Sequence, residues 1–192
     1  MRLLSTIVDD LFELARIDAG ALTLQLEDTD LQTLIASCLR GIEPEARARR
    51  IRLETEIDPN LRQVRGAPEK IERVLSNLLA NALRHTPERG SITVAAKPQG
   101  DHTIVAVEDT GPGIDPQDTS RVFDRFWRAD QARSSAGSGL GLAIAKGLID
   151  AQGGTIWAEK RPSGGARIAF TLVTASTVEN VQHRDGLMLS AL

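Results

Sequence analysis

Ser76-Asn77-Leu78-Leu79-Ala80-Asn81-Ala82-Leu83-Arg84-His85-Thr86 decides how the chain reads. Val74, Leu75, Leu78, Leu79 and Ala82 recur at helical spacing and mark the core side of a helix over about residues 69–84. Asn77, Asn81 and Arg84 then lie together on one side, because residues three and four apart are neighbours on a helix. An amide held against a packed apolar face must find partners. A divalent cation with phosphate oxygens is one partner set. Capping or hydrogen bonding between elements is the other.

Downstream, Pro87-Glu88-Arg89-Gly90 makes a turn. Residues 91–97 and 102–108 read as an antiparallel strand pair. Glu108-Asp109-Thr110-Gly111-Pro112-Gly113-Ile114 closes the second strand. A carboxylate followed by two glycines presents a polar group beside closely approached backbone. Asp109 there suits an adenine amino group, or it caps its own tight turn. Phe123, Phe126 and Trp127 form a short apolar cluster, and the small, polar Gln131–Ser138 stretch reads as a mobile lid. Gly137-Ser138-Gly139-Leu140-Gly141-Leu142 opens a helix, where phosphate oxygens can approach unpaired N–H groups. It is not a Walker A motif, which needs a Gly-Lys-Ser/Thr ending. Two further strands are expected at 155–159 and around Ala166–Leu172, joined by Pro162-Ser163-Gly164-Gly165.

Upstream, residues 2–17 read as a helix in which Leu4, Ile7, Leu11 and Leu14 form a seam, with Asp9, Asp10, Glu13 and Arg16 on the outer face. Such a lone amphipathic helix needs a partner, by dimerisation or by folding back on the main domain. Leu22, Leu24 and Leu26 alternate as a short extended segment, and Asp28-Thr29-Asp30 offers N-caps for a helix to about residue 49. Pro44 predicts a kink or a local break in it. The basic run Arg47, Arg49, Arg50 and Arg52 reads as a solvated face. Ile51, Leu53, Thr55 and Ile57 alternate as a strand, and a shorter one is expected near Arg62–Arg65. Several antiparallel strands are expected, layered against about three helices.

Length and composition narrow the classes. The chain has 192 residues, 41% of them hydrophobic, enough for one core of ordinary size. With 26 acidic and 23 basic residues the net charge is −3, which implies no large nucleic-acid footprint. Cys38 is the single cysteine, so no internal disulfide forms, which suits a reducing, cytoplasmic location. No apolar run approaches membrane-spanning length, so no membrane contact is expected of this chain, although a full-length parent could be anchored.

In their order, the asparagine helix, Asp109-Thr110-Gly111-Pro112-Gly113-Ile114, Phe123-Asp124-Arg125-Phe126-Trp127-Arg128 and the glycine segment from Gly137 resemble the ATP-binding catalytic domain of bacterial two-component sensor histidine kinases. The resemblance covers roughly residues 1–173. It implies an α+β fold, the two-layer α/β sandwich shared with DNA gyrase B, the mismatch-repair MutL proteins and the Hsp90 chaperones. It implies ATP and Mg2+ as cofactors. Asn77 and Asn81 match the family's paired asparagines, with Asn81 as magnesium ligand; Arg84 approaches the phosphates and His85 lines the nucleotide. Asp109 accepts from the adenine amino group, beside Gly111, Gly113 and Ile114. Phe123 and Phe126 anchor the lid, with Arg128 and Arg133 near the terminal phosphates. Gly137, Ser138, Gly139, Leu140, Gly141 and Leu142 wrap the phosphate side.

The same resemblance divides the chain. Residues 1–20 match the end of the second dimerisation helix, 21–29 a linker and 30–174 the ATP-binding domain; 175–192 leave the pattern as a weakly ordered tail. Partners implied are the dimerisation domain carrying the phosphoacceptor histidine, a response regulator, and a second copy through residues 2–17. None of His85, His102 or His183 matches the phosphoacceptor. The ATPase relatives place a water-activating glutamate where this chain has Asn77, so direct hydrolysis is not expected. Two departures are Ala67, where the family often has an acid, and Ala136, where many relatives have glycine. The leading reading is thus a protein-histidine kinase fragment. The alternative is a nucleotide-binding regulatory module that has lost kinase function. A serine kinase of the anti-sigma type shares the fold, but the dimerisation-helix segment opposes it.

Overall fold

The computed structural model describes residues 2–128 and 138–175. The elements run α1 (Arg2–Asp18), β1 (Glu27–Thr29), α2 (Leu31–Ala48), β2 (Arg52–Ile57), β3 (Val64–Gly66), α3 (Pro68–His85), β4 (Ser91–Gln99), β5 (His102–Asp109), α4 (Gly141–Ala151), β6 (Ile156–Lys160) and β7 (Ala166–Val173). Two short 3-10 turns, Pro116–Asp118 and Arg121–Phe123, lie between β5 and α4.

Five strands form the main sheet in the order β2-β4-β5-β7-β6. All neighbours are antiparallel except β2 and β4, which run parallel with Arg52 opposite Ser91 and Ile57 opposite Ala96. The several antiparallel strands expected are present, and the parallel pair is an addition to them. Alternation reveals a half-buried strand but not the direction of its partner. α2 leads into β2 and α3 into β4, and each passage returns the chain to the same end of the sheet.

α2, α3 and α4 cover one face of this sheet. Leu75, Leu78 and Leu79 of α3 and Ile144, Leu148 and Ile149 of α4 are almost completely buried there. Val94, Val107 and Ile168 oppose each other across β4, β5 and β7, as do Ala96, Val105 and Phe170. The near-continuous apolar run in β5 serves both faces. Val105 and Val107 enter the main core, while Ile104 and Ala106 join Ala169 in a small cluster on the other face.

β1 is Glu27–Thr29 rather than residues 22–26, and it pairs antiparallel with β3. Asp30 caps α2 by accepting the Gln32 N–H at 3.0 Å. α2 stays continuous through Pro44, and the expected break is absent. The β1–β3 pair is tied to the end of β7, where the Ala175 N–H donates to the Gln63 carbonyl. Residues 176–192, including His183, lie outside the described residues.

α1 folds back onto the domain. Leu14 is buried, and Ile17 packs against the main core. Asp10 and Glu13 face inward, correcting their expected place on the outer face: Asp10 pairs with Arg73, and Glu13 with Lys70 and Arg73. Val8, Leu11 and Phe12 point outward instead.

Candidate nucleotide-binding site

α3 supplies the spine of the site. Pro68 occupies its first turn, where a missing N–H costs nothing. Ala67 caps it without a side-chain bond; its own N–H donates to Gln152 Oε1 at 2.8 Å, so α4 holds the position that an acid would otherwise cap. At the other end, Arg49 donates to the carbonyls of Leu83 and Thr86. A guanidinium there satisfies orphan carbonyls and complements the helix dipole. Arg49 therefore leaves the solvated face assigned to its basic run.

The two asparagines divide their work. Asn77 Nδ2 donates to the Gly141 carbonyl at 3.0 Å, locking α3 to the start of α4. Asn81, one turn on, is half-buried, and its amide makes no hydrogen bond among the described residues. Arg84 follows on the same side. Partial burial and then the charge of Arg128 depress its pKa, so two guanidinium groups influence the same space. An amide without a bond among the described residues, one helical turn before a guanidinium, suits phosphate oxygens with a hard cation. Mg2+ takes oxygen ligands and keeps several waters, so one protein amide with substrate oxygens is sufficient chemistry. Among the described residues no group of three His, Cys, Asp or Glu offers a self-contained metal cage.

Asp109 ends β5 with a carboxyl that is 5% exposed. Its Oδ1 accepts the Gly111 N–H at 2.8 Å and the Ala166 N–H at 3.3 Å. Oδ2 has no donor among the described residues. Burial raises the Asp109 pKa, opposed in order by the two backbone N–H groups, His85 and Arg161. The turn-capping role is thus real, and it leaves the second oxygen without a donor among the described residues. His85 is held toward its neutral form by burial and then by the Arg84 charge. Backbone crowds this end: a Cβ on Gly111 would lie 2.6 Å from the His85 carbonyl oxygen. Gly113 abuts the Gly165 carbonyl, and Ile114 packs against the core.

The lid's flanks hold less through side chains than expected. Phe123 packs on the core, but the Phe126 ring is 61% exposed. Phe126 acts through its backbone, whose N–H donates to the Gly139 carbonyl at 3.0 Å. Its φ of 60° makes it a left-handed position for a bulky residue. Ser138 Oγ accepts the Leu140 N–H at 3.3 Å. The Leu140 side chain is fully buried and Leu142 is partly buried against the core. Arg133 and Gly137 lie outside the described residues, as does most of the expected lid.

Three supports escaped the sequence reading. Arg161 donates to the Asp109 carbonyl at 3.0 Å and pairs with Glu108. Ala166 supplies an N–H to Oδ1. Gly165, at φ +90°, lets the β6–β7 hairpin press on Asp109, whose carbonyl any Cβ there would strike. The only available signal was the Gly164-Gly165 pair, which looks like any hairpin turn.

Comparison with known proteins agrees with this arrangement. The profile of the histidine kinase-, DNA gyrase B-, and HSP90-like ATPase family matches residues 66–176. The chain is 37% identical over 172 residues to the alginate biosynthesis sensor protein KinB of Pseudomonas aeruginosa, covering 90% of this chain and 29% of that one. Full-length ShkA, crystallised in complex with AMPPNP, superposes with a TM-score of 0.81 at 28% identity, over 90% of this chain and 36% of ShkA. The histidine kinase ThkA, solved in complex with the response regulator protein TrrA, gives 0.69 at 26% identity, over 91% of this chain and 51% of ThkA. The chain thus spans well under half of KinB and about half of ThkA. It belongs to the histidine kinase-, DNA gyrase B-, and HSP90-like ATPase family, as the ATP-binding catalytic domain of a sensor histidine kinase.

Proposed function

We propose that the chain binds Mg-ATP and presents its γ-phosphoryl group to a histidine on a dimerisation domain. The observation that carries this reading is the division between the two asparagines. Asn77 is engaged with Gly141 and Asn81 makes no bond among the described residues, which leaves one amide oxygen a helical turn before Arg84, whose pKa burial and then the Arg128 charge depress. Asp109 Oδ2 supports the opposite, adenine end. Magnesium would be held by Asn81 and phosphate oxygens, and it would supply charge neutralisation at the phosphates. Arg84 and Arg128 would orient the terminal phosphate; catalysis of this kind is positioning plus electrostatics. Asn77 has no useful basicity near neutral pH, so water is not activated at its position.

Transfer requires an imidazole nitrogen from outside this site to attack phosphorus while the bond to the ADP oxygen breaks. The exposed Val8, Leu11 and Phe12 of α1 support self-association, or packing on a preceding helix of the dimerisation domain. ThkA's complex with TrrA supports a response regulator as the eventual receiver.

Calorimetric titration with Mg-ATP tests the site. The wild-type chain is expected to bind, and Asn81→Ala and Asp109→Ala each to lose at least roughly ten-fold in affinity. Unchanged binding in both variants contradicts the assignment. Labelled ATP mixed with an isolated dimerisation domain tests the transfer; no label on its histidine sinks that step.

A further inference from the structure

α1 reaches the phosphate side of the site, and one carboxylate makes the connection. Asp10 is 6% exposed although its side chain is an acid. One oxygen pairs with Arg73, on α3 one turn before Asn77. The other accepts from Ser138 Oγ at 3.4 Å. That same hydroxyl oxygen accepts the Leu140 N–H at the start of α4. A hydroxyl has one proton and two lone pairs, so giving the proton to Asp10 fixes which lone pair faces the backbone.

Two more bonds restrain this glycine segment. Asn77 donates to the Gly141 carbonyl, and Gly139 accepts from Phe126. Among the described residues, only the Asp10 bond reaches the segment from α1. Ile17 seats α1 against α4, where a Cβ on Gly147 would lie 2.7 Å from Ile17 Cγ2. Glu13, held by Lys70 and Arg73, keeps the helix in rotational register.

We propose that Asp10 is a positioning residue for nucleotide binding: docked α1 orients Ser138 and so presets the glycine segment for phosphate. The inference rests on the Mg-ATP reading above. It gives α1 a role inside the catalytic half of the protein, separate from pairing through its outer face. A preset loop loses less freedom when a ligand binds, so its affinity is higher.

The test compares ATP with adenosine in calorimetric titrations of the whole chain. Asp10→Ala and Ser138→Ala are each expected to raise the Kd for Mg-ATP by roughly three- to ten-fold. The loss in the double variant should fall short of the two single losses combined, because one bond is common to both. Adenosine affinity should not move in any of them, since Asp109 is held by other elements. Gly147→Ala, which displaces Ile17 without touching the glycine segment, should weaken ATP and spare adenosine. Additive losses or equal losses for adenosine would overturn the proposal. If the wild-type chain does not bind ATP, the site assignment itself fails. If it binds and the variants match it, only the role of Asp10 fails.

Discussion

Asp109 is where stability and recognition pull apart. Its folded pKa is raised above the unfolded value, because burial outweighs the bonds and charges that favour ionisation. A carboxyl shifted this way contributes stability that is fully present below the unfolded pKa and is lost as pH rises through the folded one. Asp109→Asn keeps an oxygen for the Gly111 and Ala166 N–H groups and removes the buried charge. Its melting temperature relative to wild type is expected to climb as pH rises from about 4 toward neutrality, measured by scanning calorimetry in matched buffers. A gap that narrows with rising pH contradicts the shift. The same variant should bind ATP poorly, since an amide nitrogen now faces the adenine amine.

Gly165 makes a second prediction at this scale. A side chain there meets both a left-handed φ and the Asp109 carbonyl. Gly165→Ala should cost about 2–4 kcal/mol in urea denaturation and disturb adenine binding with it. Asp109 itself was legible because a carboxylate followed by spaced glycines is a local pattern. Its supports were not, because Ala166 and Arg161 arrive from a hairpin more than fifty residues away.

At the scale of elements, α3 was the most legible, since its apolar stripe is long and strictly periodic. Its caps were hidden. Arg49 reaches the last carbonyls of α3 from the end of α2, and Gln152 holds the first turn from α4. Arg49→Ala leaves those carbonyls without their charged donor and should lower stability by about 1–2 kcal/mol, read from chemical denaturation midpoints. A loss no larger than that of the exposed control Arg47→Ala would contradict the capping role. α1 shows the reverse difficulty. Its amphipathic pattern was clear, but which side faced inward was not. Asp10 and Glu13 find cations 57 to 63 residues away, and no local pattern reveals pairs at that distance.

At the scale of the whole molecule, the order of motifs specified the two-layer architecture, while strand order and the parallel β2–β4 pair came from long-range packing. Val8, Leu11 and Phe12 remain the largest apolar exposure on α1 among the described residues. If this face pairs copies of the chain, Leu11→Ser with Phe12→Ser should shift sedimentation toward monomer and leave the ATP affinity unchanged. Variants that sediment like wild type would remove that role.

Eight residues separate the end of α1 at Asp18 from the start of β1 at Glu27. A tether of that length spans roughly 15 Å as a flexible chain and holds its two ends at an effective concentration on the order of millimolar. Against such a concentration, a helix with an intrinsic dissociation constant of about 0.1 mM would be docked about nine-tenths of the time. The tether thus lets α1 stay seated even with an intrinsic affinity as weak as that. A detached α1 peptide added at micromolar concentration should not replace the tethered copy.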